Sequence, residues 1–397
     1  MVHVKDSSAA LGMTQTATYE RSLMKYQISL ALASGSLRVR YLISMNSFRL
    51  RALFASFALL ILASSGCRKN STAGAIEYSK TGHTSSNEVV LYCSVDEEYA
   101  RPIINQLQRE TGLRIRPLFD VEAAKTAGLA TRLRAEKSRP RADVFWSSAT
   151  LQTLLLSREG LLQSYTPTAN SLPAMWRAKD WVSTGVRCHV LVYNTRVAQP
   201  PRVLEDLLLP RFKGKIGISN ALFGTGSDWA ASLATRRGQE NALSYLRRLK
   251  ANGAQILPGN SVVAERVGRG ELLAGLCDTD DFLALQKQFP DLKISLPTNE
   301  KLPNDLLFVP MTAAIVQNAP HTESARKLLD ALSSPQTEAQ IVRSMPGVLP
   351  LRASWNDVPA SIAPLKNYIA SSRNDIGKWG GNWRQIRDPL SDVLLHD

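Results

Sequence analysis

Short apolar runs alternate with amphipathic helical segments along residues 88–350, and this alternation constrains the fold more than any other feature. Runs at 89–93, 113–119 and 142–146 are each followed by a segment whose apolar residues recur at helical spacing. A second alternation begins after Pro200-Pro201, with a run at 215–218. Continuous apolar runs are typical of strands that are covered on both faces. The pattern therefore predicts an α/β fold with a mostly parallel sheet and right-handed crossovers.

Two extended segments, near Val190 and Val309, connect the two alternations. A chain that leaves one α/β unit, builds a second and then returns has a cleft with a double hinge, which permits closure around a ligand. We therefore predict two lobes and two hinge-crossing strands. We expect lobe 1 at residues 88–190 and 310–345, lobe 2 at residues 191–309, and closing helices at residues 346–397. Trp379-Gly-Gly-Asn-Trp383 in this tail is distinctive, but it suggests no chemistry.

The first part of the chain contains an export signal. Arg49 and Arg51 precede an apolar run at 52–63, and small residues follow it, which is typical of a secretory signal. Its end, Ser64-Ser65-Gly66-Cys67, resembles a bacterial lipoprotein signal, which implies a lipid on Cys67 and an anchored protein outside the cytoplasm. Cleavage by the ordinary signal peptidase and a buried helix are the alternatives. We interpret residues 45–67 as the signal peptide, residues 1–44 as a gene-model extension or a disordered segment, and residues 68–87 as a flexible tether.

Composition and charge argue against several classes of protein. Of the 397 residues, 44% are hydrophobic and 21% are charged, which is ordinary for a globular protein. The formal net charge is +14, and half of this excess lies within residues 1–70. The other basic residues are scattered along predicted helices, whereas nucleic-acid-binding proteins cluster them on one surface. Cys93, Cys188 and Cys277 lack metal-binding spacing, and we expect them to be small buried hydrophobic residues.

An acidic step follows the predicted buried strand at 274–277. Asp278, Asp280 and Asp281 lie just beyond this strand, and open α/β sheets bind ligands in the crevice outside the carboxyl ends of their strands. We therefore interpret the step as one wall of a ligand site. The structural alternative is that Asp278 and Asp281 form a capping box, with the acids of the first turn stabilising the helix dipole.

A set of short motifs in matching order, which covers about residues 88–350, carries a family resemblance. Together they resemble the extracellular solute-binding proteins of ABC importers (family 1), in the ferric-ion-binding periplasmic branch. The resemblance implies a two-lobed type II periplasmic-binding fold, a membrane permease and an ATPase as partners, and no catalysis. The motifs include Val89-Val-Leu-Tyr, Glu110-Thr-Gly, Ala142-Asp-Val-Phe-Trp, Lys250-Ala-Asn-Gly, Gly259-Asn-Ser and Arg269-Gly-Glu.

The chain departs from the iron-binding branch at the ligand positions that the resemblance implies. Asp280-Asp281 stands where iron binders carry two adjacent tyrosines, Asp96 stands where many carry a histidine, and Ser148 stands where many carry a glutamate. We expect Asp96, Asp280 and Asp281 to converge across the cleft as metal ligands, because carboxylates suit a hard cation, and they also suit a protonated amine. Asp96 has the alternative role of a helix N-cap.

The rival ligand is an anion, because several polar residues precede predicted helices, where free N–H groups favour negative charge. Plain N-capping is the structural alternative. A zwitterion such as an aminophosphonate would use both kinds of group. The residues on this side are Ser94, Ser147, Ser148, Thr225, Ser227, Asn260 and Ser261, to which Lys125 and Thr126 add. Glu122, in the same segment before the helix predicted at 128–137, is a further candidate ligand-binding residue.

The predicted function is that of a solute receptor which delivers iron(III) or another hard cation to an ABC permease. We expect a monomer without a resident cofactor, with the ion as transported ligand. A secreted hydrolase on the same scaffold is the enzymatic alternative, but the sequence has no Gly-x-Ser-x-Gly, His-Glu-x-x-His or phosphate loop. A sensory module is a third possibility that the sequence does not separate from transport. His189 and His321 are isolated in the sequence, and we expect structural roles for them.

Overall fold

The strands of the predicted alternation form one sheet. The structure is a computed structural model that describes residues 87–120, 127–168, 171–295, 306–352, 354–369 and 375–395. The predicted extension, signal peptide and lipidated Cys67, and the tether up to residue 86, lie outside the described residues. The strands are β1 (Glu88–Cys93), β2 (Arg114–Phe119), β3 (Val144–Ser147), β4 (Val182–Asn194), β5 (Ile216–Ser219), β6 (Gln255–Leu257), β7 (Ala274–Asp278), β8 (Leu292–Ser295) and β9 (Leu307–Ile315).

The sheet consists of two parallel groups joined by two long strands. The strand order is β2-β1-β3-β9-β4-β7-β5-β6, and β8 pairs with β4. β1 is parallel to β2 and β3, and β5 is parallel to β6 and β7. β4 and β9 are antiparallel to each other and to β7 and β3, because one leaves the first group and the other returns to it. The prediction of a mostly parallel sheet is therefore wrong for the centre of the sheet, whereas the two crossing strands are present.

Helices lie between successive strands along most of the chain, as the alternation predicts, and they cover the sheet. β9 is buried at every residue, and β4 at every residue but one, in agreement with strands that are covered on both faces. Short 3-10 helices lie at Ala174–Trp176, Leu204–Leu208, Pro210–Phe212 and Ala363–Leu365. The α-helices are α1 (Glu97–Thr111), α2 (Ala127–Ala135), α3 (Leu151–Arg158), α4 (Gly224–Arg237), α5 (Gln239–Ala251), α6 (Asn260–Gly268), α7 (Thr279–Gln286), α8 (Thr322–Leu332), α9 (Pro335–Ser344), α10 (Lys366–Ile369) and α11 (Ile376–Leu395).

The C-terminal helix α11 packs against α3, α4 and α5. Trp379 and Trp383 are both buried, which gives the tail motif a role in packing. A β-carbon added at Gly380 would lie 3.1 Å from the Arg158 side chain, so the absence of a side chain there allows the close approach of α11 to α3. Among the described residues, no helix is both long and apolar enough to cross a bilayer.

The three cysteines of the folded part are free and buried. Burial raises the pKa of the Cys93, Cys188 and Cys277 thiols, so each thiol stays protonated at neutral pH. The prediction that these residues serve as small buried hydrophobic side chains is confirmed.

Candidate functional site

The carboxylate of Asp278 lies at the centre of the site and is fully buried. Its Oδ1 atom lies 2.7 Å from Nδ1 of His189. Its Oδ2 atom accepts hydrogen bonds from the Thr225 hydroxyl at 2.6 Å and from the Asn260 amide at 3.1 Å, and it lies 3.4 Å from Nη1 of Arg187. Because an ionised carboxylate only accepts hydrogen bonds, the His189 proton lies on Nδ1.

The register of two strands explains this convergence. β4 and β7 are antiparallel, with His189 opposite Asp278, the last residue of β7. Arg187 lies two residues before His189 on β4, and alternate residues of a strand share one face of the sheet. Thr225 and Asn260 come from the first turns of α4 and α6. Three separate elements, β4, α4 and α6, therefore direct four donors at one carboxylate.

These bonds also decide between the two interpretations of Asp278. Asp278 occupies the N-cap position of α7, but its side chain makes no capping bond to that helix, so it does not form the predicted capping box. Burial alone would raise the pKa of Asp278, but the positive charge of Arg187 and the hydrogen bonds from His189 and Thr225 lower it. Asp278 is therefore an ionised group that is stabilised by its donors.

Arg187 is the internal counter-charge of the site. Its guanidinium donates to Oδ2 of Asp280 at 2.7 Å and to the backbone carbonyl of Ser148, and its side chain is only 10% exposed. Burial lowers the pKa of Arg187, but Asp280 and Asp278 outweigh this effect and raise it above its usual range. Arg187 therefore stays charged and links the carboxyl end of β3 to the acidic step after β7.

Asp280 combines one paired oxygen with one unpaired oxygen. Oδ2 binds Arg187, whereas Oδ1 is buried and has no hydrogen-bond partner among the described residues. Oδ1 of Asn260 is a second buried acceptor without a described donor. Burial and the nearby Asp278 raise the pKa of Asp280, while Arg187 opposes them. Two acceptors at the site are thus available to a donor or a cation.

The acidic step forms one cluster, and α1 approaches it. Asp278, Asp280 and Asp281 each offer an oxygen, and these oxygens lie within 4.8 Å of one another. Asp96 occupies the N-cap position of α1 without a capping bond from its side chain. The pKa of Tyr99 in the first turns of α1 is raised by burial, by Glu98, and then by Asp280 and Asp96. The phenol of Tyr99 therefore lies within electrostatic reach of both acids.

The serines of the predicted anion site bond to one another. Ser94 and Ser147 are buried, and their hydroxyls lie 3.3 Å apart. The Ser148 amide donates to the Ser94 hydroxyl at 3.2 Å, and the Ser148 hydroxyl donates to the Ser94 carbonyl at 3.0 Å. These bonds tie the ends of β1 and β3 together, so they account for the serines without any ligand.

Asp228 is a second buried carboxylate next to the site, and no pattern in the sequence indicates its role. It lies in α4, and it accepts hydrogen bonds from the backbone amides of Thr150 at 3.1 Å and Leu151 at 2.6 Å, at the start of α3. Burial raises the pKa of Asp228 to about 7, although the two amides oppose this. Asp228 therefore joins an element of predicted lobe 2 to an element of predicted lobe 1.

The structure brings some predicted residues together and leaves others apart. Thr225, Asn260, Asp278 and Asp280 meet, and Ser148 joins them through its carbonyl. Ser261 is exposed at the start of α6. His321 binds Asp143 at 2.9 Å, a structural role like that of His189. Glu122, Lys125 and Thr126 lie outside the described residues.

Sequence reasoning missed Arg187, although a usable signal was present. Arg187 begins the apolar run that forms the second half of β4, and a charge in a buried strand requires a partner. Asp228 had no comparable signal, because an acid near the start of a helix is ordinary.

Comparisons with known proteins agree with this architecture. A model of the family described as "Bacterial extracellular solute-binding protein" matches residues 90–344. The chain is 26% identical over 266 residues to the "Putative 2-aminoethylphosphonate-binding periplasmic protein" of Salmonella typhimurium, which covers 66% of this chain and 76% of the relative. It is 25% identical over 257 residues to the "Major ferric iron-binding protein" of Neisseria meningitidis, which covers 62% and 76%.

A solved structure supports the fold. Iron-bound HitA from Pseudomonas aeruginosa superposes with a TM-score of 0.67 at 21% identity, and the match covers 78% of this chain and 99% of HitA. At this identity, the match establishes a shared two-lobed fold. Because the family match extends over most of the described chain, the protein belongs to the bacterial extracellular solute-binding proteins, the receptors that capture solutes for import.

Proposed function

We propose that the chain captures a small, positively charged solute at Asp280 and delivers it to an ABC permease. The observation that carries this proposal is Oδ1 of Asp280, a buried acceptor without a donor among the described residues. Buried polar atoms are nearly always hydrogen-bonded, so an acceptor without a donor in a binding protein favours a ligand that supplies one. Oδ1 of Asn260 has the same property.

The donors near these acceptors argue against an anion as the cargo at this point. Thr225, Asn260, His189 and Arg187 already surround the Asp278 carboxylate. An anionic solute would have to displace the buried Asp278 carboxylate or lie beside it. Two negative charges side by side repel each other. The open groups therefore favour a cation.

A hard metal cation is the first candidate. Asp280 and Asp281, two carboxylates of the cluster, supply oxygen ligands of the kind that such ions prefer. The ferric-iron-binding relatives support iron(III) as one member of this class. In this proposal Asp280 and Asp281 bind the ion from one wall of the cleft, and Asp96 binds it from the other.

A solute with an ammonium group is the second candidate, and Arg187 favours it. The guanidinium lies 2.7 Å from Oδ2 of Asp280. Its repulsion of a bound ion increases with the charge of that ion, so a singly charged ammonium is opposed less than iron(III). The relative named for 2-aminoethylphosphonate supports an amine-bearing cargo. Its phosphonate end would need donors other than those that Asp278 already occupies.

We further infer the cellular context from the predicted signal and the relatives. The Salmonella typhimurium relative is named as a periplasmic binding protein, so we place the chain outside the cytoplasm, in the periplasm or an equivalent compartment. A lipid on Cys67 would hold it at the membrane, next to the permease and its ATPase. It would act as a monomer and without catalysis.

Thermal unfolding of purified residues 71–397 tests the proposal. The protein is titrated with iron(III), calcium, an aliphatic diamine and 2-aminoethylphosphonate. A ligand at 100 times its Kd stabilises the fold by about 2.7 kcal/mol. For a folded chain of this size, whose unfolding entropy is about 2.1 cal/mol/K per residue, that free energy raises the Tm by roughly 4 °C. We expect such a rise with one cationic class.

Two substitutions show whether the rise depends on the proposed site. We expect Asp280→Asn to abolish it, because the open acceptor loses its charge. Asp357→Asn removes an exposed carboxylate, and it should leave the rise intact. If no class of solute raises the Tm, or if Asp280→Asn responds like the wild type, the proposal is wrong.

A further inference from the structure

The groups around Asp278 have the composition of an oxyanion-binding pocket. A hydroxyl from Thr225, an amide from Asn260, an imidazole from His189 and a guanidinium from Arg187 all meet the same carboxylate, at 2.6, 3.1, 2.7 and 3.4 Å. Neutral donors combined with a charged guanidinium are the means by which proteins bind phosphate and carboxylate ligands.

The position of the pocket is also that of an anion site. Thr225 is the second residue of α4, a helix of 14 residues whose N-terminus carries the positive end of the dipole. Asp278 is fully buried there, with an extended backbone at φ −87° and ψ 158° that any residue can adopt. The backbone conformation therefore does not require an aspartate at this position. The surrounding donors do explain an aspartate there, because they need an anionic acceptor.

We propose that Asp278 is a tethered anion that fills an oxyanion subsite of the cleft and thereby excludes anionic solutes from it. The carboxylate replaces the anion that these donors would otherwise take from solution, such as phosphate or a small carboxylate. Asp278 is thus the residue that sets the charge preference of the site. The preference of the remaining site for cations rests on the proposed function. The binding of the Asp278 carboxylate by these four donors is independent of it.

The full chain with Asp278→Ala provides the test, with inorganic phosphate and formate as the probes. Removal of the carboxylate leaves the four donors without their acceptor, so we expect phosphate to bind at least tenfold more tightly than to the wild type in isothermal titration calorimetry. Formate, which has the shape of the lost group, should raise the Tm of the variant and leave that of the wild type unchanged. Asp278→Ser, which keeps a small acceptor, should show the same gain and serves if the alanine variant does not fold.

A double variant shows whether the gained affinity uses these donors. Asp278→Ala combined with Thr225→Val lacks the hydroxyl donor, and it should lose most of the gained phosphate affinity. The inference is overturned if neither single variant binds phosphate more tightly than the wild type, or if the double variant keeps the full gain. Cation binding by the wild type is measured separately, so failure of the proposed cargo and failure of the tethered anion are distinguishable.

Discussion

Replacement of Arg187 by methionine removes the internal counter-charge and should weaken the fold strongly. Methionine keeps much of the side-chain volume but offers no donor. Asp280 and Asp278 would lose their ion pairs at 2.7 and 3.4 Å, and the Ser148 carbonyl would lose a donor. Removal of one partner from a buried ion pair costs about 3–5 kcal/mol, because the other charge is left buried without compensation. We expect a loss in this range at pH 8.

The loss should depend on pH in a defined direction. In the wild type, Arg187 is part of what lowers the pKa of Asp278, so that carboxylate contributes stability above its unfolded pKa. Without the guanidinium, burial raises the pKa of both carboxyls in the folded state, and stability is then lost as the pH rises through the folded pKa. The difference between variant and wild type should therefore be largest at pH 8 and shrink towards pH 4.

Urea denaturation at both pH values measures this difference, and Arg343→Met is the control. The Arg343 side chain is 56% exposed, and its ion pair with Asp357 is 3.8 Å long, so its loss should cost no more than about 1 kcal/mol. Millimolar calcium should stabilise Arg187→Met more than the wild type, because it can replace the lost positive charge among the three carboxylates. A variant within 1 kcal/mol of the wild type at pH 8, or a loss independent of pH, would refute the reasoning.

Two further substitutions test the surroundings of the site. Since burial raises the pKa of Asp228 from 3.8 to about 7, the folded state keeps this carboxyl protonated at pH values where the unfolded state ionises it, and the free energy of unfolding should fall by about 3 kcal/mol between pH 4 and pH 7. Asp228→Asn should remove this part of the pH dependence of unfolding, and an unchanged profile would contradict the assignment. A β-carbon at Gly347, which has a φ of +87°, would overlap the backbone of Asp280. Gly347→Ala should therefore lower both the Tm and the cargo affinity, whereas Gly112→Ala, which shares a positive φ but has open space, should lower the Tm alone.

Local patterns in the sequence predicted most of the elements of the fold. The helix predicted at residues 128–137 corresponds to α2, Ala127–Ala135, and the strand predicted at 274–277 differs from β7 by one residue. The crossing segment that the sequence predicts near Val190 is β4, which extends over Val182–Asn194. Its first half, Val-Ser-Thr-Gly-Val, lacks a continuous apolar run, and it pairs with β9 although the partner lies more than a hundred residues away.

Local sequence patterns predict the position of the candidate site better than they predict its contacts. The position of Asp278 after a buried strand predicts a place at the carboxyl end of that strand, and Asp278 is the buried last residue of β7. The partners of Asp278 come from β4, α4 and α6, and pairings between distant segments leave no spacing in the sequence. For this reason the partners of Arg187 and Asp228 are evident only in the fold. Thr225 and Asn260, which we expected to bind a solute anion, donate to the chain's own Asp278.

The most direct test of the central claim is a crystal structure of the protein with the solute that raises its Tm most, with the identity of any metal established from anomalous scattering. We expect the cationic atom within about 3 Å of Oδ1 of Asp280, with Asp278 still held by Thr225 and Asn260. A solute that binds at another surface and leaves Oδ1 of Asp280 without a partner would contradict the account.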